Sequence, residues 1–231
     1  MLVLPADLYL DAVTFNTWQR GGFLAQILSG LHDDGVAVHI ESSVVGEIKN
    51  RAGVAGRALI DAVLQRNSID IVDLRSLDTA SWQLVASLAR RMTDLEIEAG
   101  RRASAPRSAN LGEAATLGYI LSVDPHGVFV TSDRFAEKVA ATAGVSVART
   151  AAFLGVEIEL GTLTMNQIWE AVCDSRGCGL DTVVCKDIGE CPNLREDAVE
   201  RGILGKAAKS RLILERTIAG DLMAMQELLN T

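Results

Sequence analysis

Short apolar runs alternate with stretches of helical period along the first two thirds of this chain. Leu8-Tyr9-Leu10, closed by Asp11, reads as the end of a first strand. From Thr17 to Leu31 the apolar residues recur at helical spacing, with Phe23, Ile27 and Leu31 on one face. Gly35 then breaks the chain, and Val36–Ile40 follows as a short strand. Ser42 and Ser43 are candidate N-caps for a helix that carries Glu47 in its first turns and runs on to Leu64, weakened at Gly53 and Gly56. Ile69–Leu74 alternates as a third strand. Asp78 is placed to cap a helix through Trp82, Leu84, Leu88 and Met92. Residues 93–109 mix charges, small residues and one proline, which predicts a mobile loop. A helix at 111–122, a strand at 128–132, a helix from Arg134 to about Ala143 and a strand at Val145–Ala148 complete the pattern. Such alternation predicts an α/β fold with a parallel sheet flanked by helices. Residues 149–160 read as the end of that unit and 162–172 as helical. A basic, then apolar, helical tail is expected from about Glu196 to Leu229.

Composition narrows the class. Hydrophobic residues make up 48% of the 231 but aromatics only 4%, so Ala, Val, Leu and Ile must do the packing, as suits buried parallel strands under covering helices. The net charge of −8 excludes a strongly basic nucleic-acid coat; any nucleic acid must be held by local positive patches. No apolar run approaches the ~20 residues needed to span a bilayer, so no membrane role is expected. The start MLVLPADLYLD lacks a basic segment and makes a poor signal peptide. Those two features predict a cytoplasmic protein with reduced thiols.

Four acids fall where a parallel sheet would gather them. Asp11 and Asp133 each follow an apolar strand, and Glu47 and Glu113 open helices. Strand C-termini and the helix N-termini that follow them share one edge of such a sheet. Four carboxylates there repel one another unless a cation joins them, most simply Mg²⁺ or Mn²⁺ on oxygen ligands. Each acid also has a purely structural role open to it. Asp133 can cap the helix at Arg134, Glu113 can pair with Asn110 in a capping arrangement, and Glu47 can favour its helix dipole. Asp11 is the hardest to explain this way, because Ala12-Val13-Thr14-Phe15 does not clearly begin a helix.

Four segments in order, LYLDAVTFN, SSVVGEI, LGEAATLGYIL and VFVTSDRFAEKVAATAGVSV, give residues 5–155 a pattern that resembles the PIN-domain nucleases. The resemblance implies a PIN-like fold and Mg²⁺- or Mn²⁺-dependent hydrolysis of RNA, with Asp11 and Asp133 as direct ligands and Glu47 and Glu113 completing the site. Thr131, Ser132 and Asn16 would support it by hydrogen bonding. Ser132 stands where the family often has a second acid or Asn. Many proteins of that family are toxins restrained by a small antitoxin-like partner, so such a partner is an expectation here as well. A catalytically silent PIN-like module that binds RNA or protein is the competing expectation.

The remaining chain, 159–231, is expected to form a C-terminal extension to a nuclease-like domain at 1–158. It holds all four cysteines, Cys173, Cys178, Cys185 and Cys191, within 19 residues. A structural Zn²⁺ would explain the crowding; disulfides or reduced packing cysteines are the other readings. Arg101, Arg102 and Arg107 in the predicted loop, and Arg201, Lys206, Lys209, Arg211 and Arg216 in the tail, are candidate phosphate contacts or plain solvated surface. Tail positions such as Ile203 and Leu204 are expected to pack on the first domain or to join copies in a homo-oligomer. His32, His39 and His126 belong to no metal or triad motif and read as turn or surface residues.

Overall fold

A computed structural model of the chain describes residues 5–74, 78–101, 110–174 and 199–205. Five strands, β1 (Asp7–Leu10), β2 (Ala37–Glu41), β3 (Asp70–Val72), β4 (Val128–Val130) and β5 (Ser146–Ala148), form one sheet in the order β3-β2-β1-β4-β5. Every pairing is parallel. Leu8 faces Val38 on one side and Val128 on the other. The helices are α1 (Ala12–Arg20), α2 (Leu24–Asp33), α3 (Ser42–Arg66), α4 (Thr79–Glu98), α5 (Leu111–Val123), α6 (Arg134–Ala143), α7 (Thr150–Glu159) and α8 (Met165–Asp174). The chain is therefore an α/β protein with an all-parallel sheet between helices, as the alternation predicts.

Side chains alternate across a strand, and that alternation divides the core in two. Leu8, Leu10, Val128 and Val130 pack with α1, α2, α3, α7 and α8 on one face. Tyr9, Phe129 and Val147 pack with α4, α5 and α6 on the other. Val199 and Ile203, from the helical turn at 199–205, are fully buried in the first cluster beside Leu163, Ile168 and Val172. The tail residue Ile203 thus packs against the sheet's own core. Trp18 is buried there, and Trp169 packs against it.

Several local expectations need correction. The single helix over 17–31 is two helices, α1 and α2, parted at Gly21-Gly22, where Gly22 takes φ 77°. Glu41, not Ser42 or Ser43, caps α3: its carboxylate accepts the Ser43 N–H at 2.6 Å. That helix is kinked at Gly53 (φ 67°, ψ −178°), a conformation that favours glycine. The pattern break at Thr93 is not a break, since α4 continues through Glu98, with Glu96 buried; residues 102–109 lie outside the described set. Residues 150–159 form the buried helix α7. His39 is a strand residue, not a turn residue. Its ring stacks on Tyr9 at 4.8 Å and its Nε2 lies 2.7 Å from Asp7. The Tyr9 hydroxyl donates to Asp124 at 3.0 Å, and burial together with that carboxylate pushes its pKa up.

Candidate functional site

The strand order reverses about β1. The chain moves outward through β2 and β3 on one side and returns through β4 and β5 on the other. In an open parallel sheet the crevice beyond the strand C-termini at such a switch is where ligands bind. Asp11 follows β1 directly, and Asp133 lies three residues past the end of β4. The β1–β4 ladder carries on to this point, with the Asp11 N–H bonded to the Val130 carbonyl at 3.2 Å.

Asp11 is 1% exposed. It caps α1 after all, accepting the Thr14 N–H at 2.5 Å on Oδ1, while Oδ2 accepts the Thr131 hydroxyl at 2.5 Å. Thr131 Oγ1 also accepts the Asp133 N–H at 3.0 Å. One hydroxyl therefore ties the two aspartates together. Asp133 caps α6 by accepting the Phe135 and Ala136 N–H groups at 2.7 and 3.0 Å. Behind this pair the Thr14 hydroxyl donates to the Val130 carbonyl at 3.0 Å and meets the Thr150 hydroxyl at 2.7 Å. That contact pins the start of α7 to the same edge.

Glu113 stands in the first turn of α5, but its expected capping arrangement is absent. Asn110 adopts a left-handed conformation without a side-chain cap, and its amide donates to Glu96 at 3.2 Å. Gly112 lets α5 approach α3 closely: a Cβ there would lie 3.1 Å from Val44 Cγ2 and 3.5 Å from Glu47 Oε2. Glu47 in turn accepts from Arg51, one helical turn on, at 2.5 Å. Asn16 back-bonds to the Ala12 carbonyl at 2.6 Å, which is a helix-internal role. Ser132 is 4% exposed beside Thr131.

The acids feel one another. Burial pushes the Asp11 carboxyl up to about 6; the Thr131 and Thr14 hydrogen bonds work against that, and the charge of Asp133 adds to it. Burial pushes Glu113 up to about 7, with the fields of Asp11, Glu47 and Asp133 adding to it. The fields of Asp11, Glu47 and Asp133 thus all reach Glu113. Among the described residues, however, no three or more His, Cys, Asp or Glu side chains close on one point as a metal-holding group. A Mg²⁺-like ion keeps several waters and needs only one or two direct carboxylates. Asp11 and Asp133 would be the direct carboxylates of such an ion, and Glu47 and Glu113 would complete its shell through water. Of the cysteines, Cys173 is a free thiol at the end of α8; Cys178, Cys185 and Cys191 lie outside the described residues, and the zinc reading with them.

Sequence reasoning missed three contributors. The Thr14 and Thr150 hydroxyls carry no motif of their own. Arg51 was readable as the i+4 partner of Glu47. Arg101 stood out as basic, but its guanidinium lies 5.3 Å from the centroid of the Phe135 ring, which brings it beside the residue that donates to Asp133. No protein-family model, curated protein or solved structure matches the chain. Among the described residues no helix is long and apolar enough to cross a membrane.

Proposed function

We propose that this protein is a PIN-like, metal-dependent ribonuclease whose site is the crevice beyond β1 and β4. The observation that supports the reading is that Thr131 bridges Asp11 and Asp133 while the fields of Asp11, Glu47 and Asp133 reach Glu113, with the Asp11 and Glu113 carboxyls held well above the ordinary range chiefly by burial. Of these acids Glu47 is paired with Arg51, and buried carboxyls with raised pKa values in a crevice are candidates for a functional site. Asp11 and Asp133 would hold a Mg²⁺ or Mn²⁺, which would supply Lewis-acid stabilisation and a more acidic water. The rest falls to the chain. Thr131 fixes the two aspartates relative to each other, and Asp11 and Glu113 release their protons as a cation is taken up. Affinity for the cation therefore rises with pH through about 6 to 7. Arg101, over the Phe135 ring, and Arg51, bonded to Glu47, would offer guanidinium groups suited to phosphate oxygens.

A second reading, a silent module that binds RNA or protein, is favoured by the absence of a preformed three-acid group among the described residues. Labelled RNA with Mn²⁺ separates the two. The parent should cleave, and Asp11→Asn and Asp133→Asn should each lose at least about a hundredfold, as expected when a group that stabilises the transition state is removed. Equal cleavage by all three would reject the site. RNA binding without cleavage by the parent would favour the silent module.

A further inference from the structure

Away from that crevice, Glu157 sits in the last turn of α7 with no exposed surface. Neither of its carboxylate oxygens has a hydrogen-bond partner. The Thr162 hydroxyl is near enough to ease its charge slightly but falls short of bonding geometry. Among the described residues, the charged group whose field reaches it is Asp34, just past the end of α2, and that charge is also negative.

The position is a junction. The Glu157 carbonyl accepts the Thr162 and Leu163 N–H groups at 2.9 and 3.1 Å, which turns the chain out of α7. Thr162 lies against Gly30 of α2, and its carbonyl accepts from Gln26 of the same helix. Leu163 enters the core just ahead of α8. Among the described residues no cation offsets an ionised carboxylate enclosed here, and burial favours the neutral carboxyl.

We infer that Glu157 is a proton-operated latch: neutral, it lets the α7 turn close on α2; ionised, it loosens that turn and the α8 helix that follows. The latch is independent of the nuclease reading. Burial, with Asp34 adding, holds its carboxyl up at about 7, against an ordinary 4.5. The folded chain therefore keeps a proton that the unfolded chain has released. Its stabilising contribution is complete below about pH 4.5, declines as pH rises toward about 7, and levels off above that.

Asp11 and Glu113 are shifted in the same direction, so the test is a comparison of the parent with Glu157→Gln, which leaves those two in place. Urea midpoints would be measured from about pH 5 to about pH 8, together with amide exchange at Thr162 and Leu163. The parent midpoint should fall more steeply than that of the variant, with Glu157→Gln the more stable near pH 8. Amide protection at Thr162 and Leu163 should weaken at high pH in the parent alone. Parallel curves with unchanged protection would overturn the latch. Should the variant fail to fold, an NMR titration of the Glu157 carboxyl in the parent decides: a midpoint near 7 supports the latch, and one near 4.5 overturns it.

Discussion

Thr131 touches both acidic ends of the central strands. Its hydroxyl donates to Asp11 and accepts from the Asp133 N–H. Thr131→Val keeps the shape and removes both bonds, leaving a buried carboxylate and a backbone donor short of a partner. The expected loss is about 1–3 kcal/mol in urea unfolding, with Thr131→Ser recovering most of it; a valine variant as stable as the parent would show that the bridge contributes nothing. Asp11 and Asp133 were legible as site candidates because a strand end in a parallel sheet is an edge. The capping role of Asp11 was not, because the donor is the Thr14 backbone N–H, a group every residue but proline carries, and Val13 and Thr14 are weak helix formers. The Tyr9–His39 stack was equally hidden, since it depends on the register of β1 against β2, which places Tyr9 opposite His39.

Helix breaks were legible only in part, and the strength of the breaker did not decide which. The kink at Gly53 was visible as glycine. The break at Gly21-Gly22 was not, because the apolar series Phe23, Ile27 and Leu31 follows it at helical spacing and draws the eye past the glycines. The end of α4 was placed too early because TDLEIE reads as polar, although Leu95 packs on the core and Glu96 is buried. Close approach between helices is the property least visible in a sequence, and Gly112 is the instance that matters. Gly112→Ala would gain up to about 1 kcal/mol of helix propensity but crowd Val44 and Glu47 on α3. Melting temperature should therefore change little, while RNA cleavage falls by roughly tenfold as Glu113 is pushed away from Glu47. Full activity in a normally folded variant would mean that the α3–α5 spacing is no part of the site.

The whole molecule carries a net charge of −8, so on the proposed reading an RNA substrate would have to be drawn in by local cations such as Arg51 and Arg101. Arg101→Ala and Arg51→Ala, made in an Asp11→Asn background to prevent cleavage, should each weaken RNA binding and flatten the dependence of affinity on salt by about one phosphate contact. Unchanged salt slopes would remove the arginines from the interface. The α/β class was readable from alternation alone. Strand order was not, because nothing in a single chain says that β1 pairs with both β2 and β4. That central place makes the fold late to finish during synthesis. A growing chain can pair β1 with β2 early, but the other flank of β1 stays bare until residues 128–130 have left the ribosome. Half-made molecules therefore hold Asp11 without Asp133, and an incomplete product released by the translation machinery would lack the pair that Thr131 bridges.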